Sequence, residues 1–182
     1  MKIVAFLILT GFSIISLQAQ RPVYTANLDF YAGTWKYENQ QTGEEFVLKL
    51  RKTSFVDQNV TRECVVGAYT YKKNGLIVVD CMNQFSSTQT SPRNMPVYAN
   101  NGSLYQDKVN PNELRMFVTD FGKFAPNGDT KRTRINELLL VSNASPNKIR
   151  WILKDDGGAF EANELPPNGF SIPEDMILIK QP

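Results

Sequence analysis

Hydrophobic and polar residues alternate along much of the chain after residue 32. Three segments place apolar side chains at every second position, with charged residues such as Lys49 and Arg150 between them. These segments are Phe46–Leu50, Leu114–Val118 and Ile149–Leu153. Because successive side chains of a β-strand point to opposite faces of a sheet, the period of two predicts half-buried strands.

Further strands are predicted from continuous apolar runs. Leu76–Val79 and Leu138–Val141 fit more central strands, and Asp175–Lys180 is predicted to close the sheet. A short helix is predicted at Asn27–Tyr31, before the first strand. Tight turns separate the strands, since Gly and Asn adopt the positive φ that hairpins require. These turns lie at residues 41–43, 74–75, 101–102, 127–128 and 168–169.

The number and spacing of these segments predict the fold class. Short strands with regular turns favour an all-β, antiparallel meander of about 8–10 strands over parallel βαβ units. Residues 86–102 and 155–173 are predicted to be long loops, which are often lids or binding segments. The hydrophobic content of 42% is sufficient for a packed core.

Residues 1–19 have the pattern of a secretory signal peptide. A basic residue precedes an apolar run, Ile3–Leu17, which is shorter than the about 20 residues that span a bilayer. We therefore predict cleavage between Ala19 and Gln20, which leaves residues 20–182 as a single domain. The expected localisation is periplasmic or extracellular, without stable membrane insertion after leader removal. An uncleaved anchor is the alternative.

The charge balance gives no reason to expect a nucleic-acid partner. The formal net charge is +2, and removal of the leader takes away Lys2, which leaves 19 basic and 18 acidic side chains. A nearly neutral chain makes no case for binding nucleic acid or an anionic membrane surface. The densest basic run, Lys131–Arg134, is expected at a solvated strand edge.

Two arguments about a disulfide between the two cysteines, Cys64 and Cys81, point in opposite directions. Export to an oxidising compartment favours a disulfide. A two-residue turn at Asn74-Gly75, however, would leave Cys64 about four residues out of register with Cys81, too far for a bond without a bulge. We expect the disulfide, and two free buried thiols are the alternative.

The segment Gly33-Thr34-Trp35 resembles the Gly-x-Trp opening of the lipocalins and fatty-acid-binding proteins. In those families a short helix precedes the first strand, and the Trp closes one end of a barrel, often beneath a basic residue from a late strand. The resemblance implies a lipocalin-like (calycin-like) barrel with Gly33 and Trp35 as structural residues. The covering cation is Arg150 or Lys180. Nothing in the sequence decides between them, and Arg150 is retained as the structural residue.

A second resemblance covers nearly all of the chain after the leader. It is to an uncharacterised family of small secreted proteins from the Bacteroidetes, a domain of unknown function. This implies an exported bacterial protein and supplies no catalytic residue. Thr119-Asp120-Phe121 is also similar to the lipocalin Thr-Asp-Tyr motif, a likeness that we attribute to chance. The blocks that carry the family resemblance are Gly33–Tyr37, Gly67–Tyr71 with Asn74-Gly75, Phe117–Asp120 and Ile172–Lys180.

The sequence excludes the commonest kinds of catalytic site. The chain contains no histidine, which removes Ser-His-Asp and Cys-His arrangements and the usual zinc sites. A carboxylate pair is the remaining route, and Glu137, with Arg150 or Lys154 as its partner, is one candidate. We predict no catalytic residue, metal or cofactor, and therefore not an enzyme. The other candidate carboxylates, which are expected to be solvated, are Asp155, Asp156, Glu161 and Glu164.

Two functions remain open for an exported, non-enzymatic barrel. The first, which we predict, is the binding of a small apolar or amphipathic ligand inside it. The second is a structural or interaction role in the envelope, with a filled core, binding loops and an unknown protein partner. An eight-stranded barrel is just wide enough for either a small ligand or its own side chains. The interior is filled if the following residues all turn inward: Phe46, Leu48, Leu50, Met116 and Trp151.

Overall fold

A computed structural model of the chain describes residues 28–57, 59–86, 91–100, 113–124, 130–140, 147–154 and 170–182. The predicted signal peptide, residues 1–19, and its cleavage site lie outside the described residues. Two short 3-10 helices span Met82–Ser86 and Pro92–Asn94. The other elements, in chain order, are α1 Leu28–Tyr31, β1 Gly33–Asn39, β2 Glu44–Asp57, β3 Val60–Lys73, β4 Leu76–Asp80, β5 Val97–Asn100, β6 Glu113–Phe124, β7 Thr130–Leu140, β8 Lys148–Lys154 and β9 Asp175–Lys180.

The nine strands form one antiparallel meander sheet that curls into a half-barrel. The strand order is β2-β1-β9-β8-β7-β6-β5-β3-β4, and β2 also pairs with β3. The predicted all-β meander of about 8–10 strands, with a short helix before the first strand, is confirmed. β9 has the predicted bounds, and α1 begins one residue after the predicted helix.

The turn between β3 and β4 is the predicted Asn-Gly hairpin. Asn74 and Gly75 have φ values of 52° and 76°, and Lys73 pairs with Leu76. A register shift follows between Tyr71 and Lys72, so β4 contains a bulge relative to β3. The Asn-Gly signal therefore predicted the hairpin correctly, whereas no feature of the sequence predicted the bulge.

One segment differs from the sequence predictions. β5, Val97–Asn100, lies inside the predicted 86–102 loop, where it pairs with β3 and β6. The basic run Lys131–Arg134 belongs to the first part of β7, which pairs with β6 on one side, whereas the pairing with β8 begins only at Ile135. Among the described residues the other edge of this run is therefore unpaired, as the prediction of a strand edge requires. Of the predicted loop 155–173, the structure describes only residues 170–173.

The described residues include no helix that is both long and apolar enough to cross a membrane.

Candidate functional site

Trp35 closes one end of the half-barrel, as the Gly-x-Trp resemblance implies. Its side chain is fully buried, and the indole Nε1 donates a hydrogen bond to the carbonyl of Tyr31 at 2.8 Å. This bond holds α1 across the end of the sheet. Gly33 has a φ of 131°, which favours glycine, and a Cβ there would lie 3.0 Å from Lys180 Cε. A side chain at residue 33 would therefore strain the backbone and crowd the cation.

Lys180, and not Arg150, is the cation that covers Trp35. Its Nζ lies 5.1 Å from the centre of the Trp35 ring and 5.6 Å from that of Phe30. It also donates a hydrogen bond of 2.8 Å to the Phe30 carbonyl. A cation over an aromatic face is attracted by the electrons of the ring. Lys180 thus links β9, β1 and α1 at the closed end.

Arg150 occupies a different environment, so its selection as the structural cation was wrong. It lies on β8 opposite Ile177, and its guanidinium binds the carboxylate of Asp175 through two hydrogen bonds at the exposed outer face. The bond from Arg150 lowers the pKa of Asp175 below its usual value. Side chains alternate along a strand, and Arg150 is out of phase with the buried Ile149 and Trp151.

The interior beside this closed end is filled with large side chains. The Phe46 ring from β2 lies 5.6 Å from the ring of Tyr69 on β3 and 5.0 Å from that of Trp151 on β8. β2 and β8 are separated in the sheet by β1 and β9, so the contact with Trp151 spans the interior. The following interior residues are all at most 2% exposed: Phe46, Leu48, Leu50, Met116 and Trp151.

Tyr69 joins two strands that do not pair directly. Its hydroxyl donates a hydrogen bond to the carbonyl of Thr119 on β6 at 2.6 Å and accepts one from the Phe121 N–H at 3.4 Å. The side chain thus satisfies backbone groups of β6 beyond the last β5–β6 pair, Val97 with Val118. Burial raises the pKa of Tyr69 well above its ordinary value, so the hydroxyl stays protonated and able to donate.

Asp120 is a fully buried carboxylate on β6, next to this link. It accepts hydrogen bonds from the Gly122 N–H at 3.0 Å, from the Ser171 N–H at 2.7 Å and from the Ser171 hydroxyl. A Cβ at Gly122 would lie 2.2 Å from Ser171 Oγ, so the fit admits only glycine. We call Asp120 and Ser171 the β6 clasp. It attaches the segment before β9 to β6, and its buried acceptor is suited to holding that segment rather than to presenting a nucleophile.

Polar groups also gather at the end of β1–β3 opposite the Trp35 plug. The Glu44 carboxylate accepts hydrogen bonds from the hydroxyls of Thr42 at 2.8 Å and Tyr71 at 2.9 Å, and its Oε1 lies 3.5 Å from Lys73 Nζ. Burial alone would raise the pKa of Glu44, but these hydrogen bonds lower it below its usual value. Burial, together with the neighbouring carboxylate, raises the pKa of Tyr71 to about 12. The cluster is internally paired and stabilises the hairpin end.

The predicted disulfide between Cys64 and Cys81 is not formed, and both residues are free, buried thiols. Cys81 lies beside Tyr69, whose N–H donates to its sulfur at 3.3 Å and whose carbonyl accepts from it at 3.1 Å. Cys64 is five residues from Tyr69 along β3, about 17 Å, whereas bonded cysteines have Cα atoms within about 7 Å. The cysteines also belong to separate hydrophobic clusters. The one-residue bulge in β4 is too small to bring them together.

The candidate carboxylate pair finds no support among the described residues. The backbone of Glu137 pairs with Ile152 on β8, but its side chain is not described, and Arg150 is bound to Asp175. Within the described part of the chain, no group of three or more acidic, Cys or His residues is placed to bind a metal ion. The remaining candidates lie outside the described residues: Asp155, Asp156, Glu161 and Glu164.

Sequence reasoning missed most of the polar residues just described, although two had a visible signal. Asp120 continues the inward phase of Leu114, Met116 and Val118, which indicates an acidic side chain facing the core. Ser171 has no comparable signal, because it belongs to a predicted loop. Glu44 has the other signal, since it shares the inward phase of Phe46, Leu48 and Leu50.

Comparisons with known proteins give a family and no further relative. No curated protein and no solved structure is significantly similar to the chain. A family model described as a family of unknown function (DUF6705) matches residues 1–181. The match covers almost the whole sequence, including the Gly33–Tyr37 and Ile172–Lys180 blocks. The chain therefore belongs to this family of unknown function, DUF6705.

Proposed function

We propose that the protein is an exported, non-enzymatic protein that acts through its outer surface, as a structural or interaction protein of a bacterial envelope. The filled half-barrel serves as a rigid support in this proposal. Three features favour the proposal: the interior is filled with side chains, the first nineteen residues resemble a leader, and the polar clusters are internally paired. The Bacteroidetes origin belongs to the proposal as well, and it rests on the resemblance of the sequence blocks.

The observation that carries the proposal is the position of Phe46. Its ring contacts the ring of Tyr69 on the neighbouring strand β3 and, across the interior, the ring of Trp151 on β8. A ligand pocket typically has a volume of about 300–1,000 Å³. The contact between Phe46 and Trp151 occupies part of the interior in which such a pocket would lie. The small apolar ligand of the sequence prediction remains a hypothesis. It has less support, because the bulky strand residues turn inward together.

A fluorescent fatty-acid probe tests the filled core. We expect no saturable binding to the folded wild-type protein at micromolar concentration, because the interior side chains occupy the space. The Phe46→Ala variant serves as the matched control. Apolar cavities of engineered proteins stay dry and bind small apolar molecules, so this variant should gain binding of a compact probe such as benzene. One-to-one binding of the fatty-acid probe by the wild type, displaced by unlabelled fatty acid, would overturn the proposal.

Fractionation tests the export half of the proposal. In a Bacteroidetes host, the chain should accumulate in the periplasm or the medium without activity toward glycoside substrates. A chain confined to the cytoplasm contradicts export, and a glycosidase activity that survives purification contradicts the non-enzymatic role.

A further inference from the structure

The wall of the half-barrel is divided between β4 and β6. Two strands share one edge of β3: β5 pairs with Cys64–Gly67, and β4 pairs with Thr70–Lys73. β5 also pairs with β6, whereas within the described part of the chain no backbone hydrogen bond joins β4 to β6. We call the line along which β4 meets residues 120–124 of β6 the β4–β6 seam.

β6 is loosely paired along this seam on its other side as well. The register of β6 with β7 shifts between Asp120 and Phe124, so among the described residues those between them form no regular pairs with β7. The two walls of the seam nevertheless lie close together, since a Cβ at Gly122 would lie 2.7 Å from Val79 Cγ2. Side-chain contacts, rather than a backbone ladder, therefore hold the seam closed.

Tyr69 makes one of the contacts that close the seam. It lies on β3, and its hydroxyl bonds to the Thr119 carbonyl at 2.6 Å and to the Phe121 N–H at 3.4 Å. Cys81, the residue after β4, lies against the same tyrosine, because its thiol donates to the Tyr69 carbonyl at 3.1 Å. Cys81 is 1% exposed and belongs to the main interior cluster. It therefore lies on the inner side of the seam.

The segment Phe170–Glu174, which we call the strap, makes the other contact. The β6 clasp fastens its Ser171 to Asp120, and Ile172 is buried in the main interior cluster. A Cβ at Gly122 would lie 2.5 Å from Ser171 Cβ, so the strap touches β6 at the seam. The carbonyls of its last two residues accept hydrogen bonds from β8. Regular strand pairing with β8 begins only after the strap, with β9.

We propose that the strap releases as a unit and that the half-barrel then opens along the β4–β6 seam, while the rest of the sheet stays folded. Segments with few backbone hydrogen bonds to their neighbours open locally more readily than paired strands. The opening gives small molecules access to interior side chains from the side of the half-barrel. It goes beyond the proposed function, since it adds a moving part to a core that is filled at rest.

The labelling of Cys81 measures this opening. In the full chain with Cys64→Ala, Cys81 is the single thiol, and a reagent such as 5,5′-dithiobis(2-nitrobenzoate) reaches it only when the fold opens, because it is buried. We expect a labelling rate that hardly changes with urea at low concentration, because local opening exposes little surface, whereas global unfolding depends steeply on urea. A labelling rate that follows global unfolding at every urea concentration overturns the inference.

Two variants make the test specific to the seam. Ser171→Ala removes the hydroxyl of the β6 clasp and should speed the labelling of Cys81 at low urea about tenfold, as the loss of a hydrogen bond to a charged group does. Thr42→Ala is the matched control, because it removes a hydroxyl–carboxylate bond in the β1–β2 turn and should leave the rate unchanged. Equal labelling rates in the two variants overturn the inference.

Tyr69→Phe gives a second test if circular dichroism shows that Ser171→Ala does not fold. It removes the hydroxyl that bonds to β6 and keeps the ring, so the labelling of Cys81 should again become faster at low urea. An unchanged rate overturns the inference. A negative result leaves the filled-core proposal standing, because the fatty-acid experiment tests that proposal separately.

Discussion

At the scale of single residues, Trp35 and Lys180 form one structural unit at the closed end. Trp35 fills the space beneath α1, and Lys180 lies over its ring and binds the Phe30 carbonyl. Trp35→Ala should lower the free energy of unfolding by about 3–5 kcal/mol, because it removes a large buried side chain and leaves a cavity. Chemical denaturation measures the loss. Ile179→Ala, at a half-exposed neighbour, is the control, and a loss below about 1 kcal/mol for Trp35→Ala would contradict the plug.

The two thiols give a second prediction at the same scale. Burial raises the pKa of both Cys64 and Cys81 to about 11, from an ordinary value of 9.0. At pH 8 only about one thiol in a thousand is then ionised, and the thiolate is the reactive form. A thiol reagent should label the native protein slowly and should label two cysteines in the denatured, unreduced protein. The absence of any labelled cysteine after denaturation would show that Cys64 and Cys81 form a disulfide.

The same pKa shifts predict a pH dependence of stability. A pKa that is higher in the folded than in the unfolded protein means that folding favours the neutral thiol. The stabilisation is therefore complete below the ordinary value of 9.0 and is lost as pH rises toward about 11. Unfolding free energies measured from pH 8 to 11 should fall, and the fall should be smaller in a Cys64→Ala, Cys81→Ala double variant. An equal fall in both proteins would assign the effect to other groups.

At the scale of elements, the β6 clasp stabilises the approach to β9. Asp120→Ala removes the acceptor for two N–H groups and one hydroxyl in part-buried hydrogen bonds. A fully buried polar group left without a partner costs roughly 1–3 kcal/mol, and water can reach these part-buried groups, so we expect a total loss of about 2–4 kcal/mol in chemical denaturation. Asp80→Ala is a matched control, because Asp80 also accepts bonds from a hydroxyl and an N–H but is exposed. Equal losses in the two variants would show that burial of the clasp contributes nothing.

The elements also show what the sequence predicts and what it does not. Local rules placed α1, the Asn74-Gly75 turn and β9, since helix, turn and alternation signals involve neighbouring residues. They missed β5, which is four residues long and is defined by pairing with β3 and β6. The covering cation was undecided for the same reason. Lys180 meets the carbonyl of Phe30, a contact across 150 residues that no local pattern encodes.

At the scale of the whole molecule, the proposed export of the chain predicts where the mature protein begins. The apolar run Ile3–Leu17 is too short for a comfortable span and is followed by Ala19, which suits the cleavage position. We predict that the exported chain begins at Gln20. Mass spectrometry of the intact protein from the periplasm or the medium of a Bacteroidetes host measures the start directly. Cyclisation of Gln20 would lower the mass by one ammonia.

Leu9→Arg provides the control for this last prediction, because a charge in the middle of the apolar run should stop export without changing any described residue. The variant should stay in the cytoplasm with its leader attached. We expect the half-barrel to fold in the same way with or without the leader, because the contacts that complete the closed end come from α1, β1 and Lys180. Unfolding curves of the exported chain and of the Leu9→Arg variant, which keeps its leader, should therefore coincide. An exported protein that keeps residues 1–19 would contradict cleavage and would favour the uncleaved anchor instead.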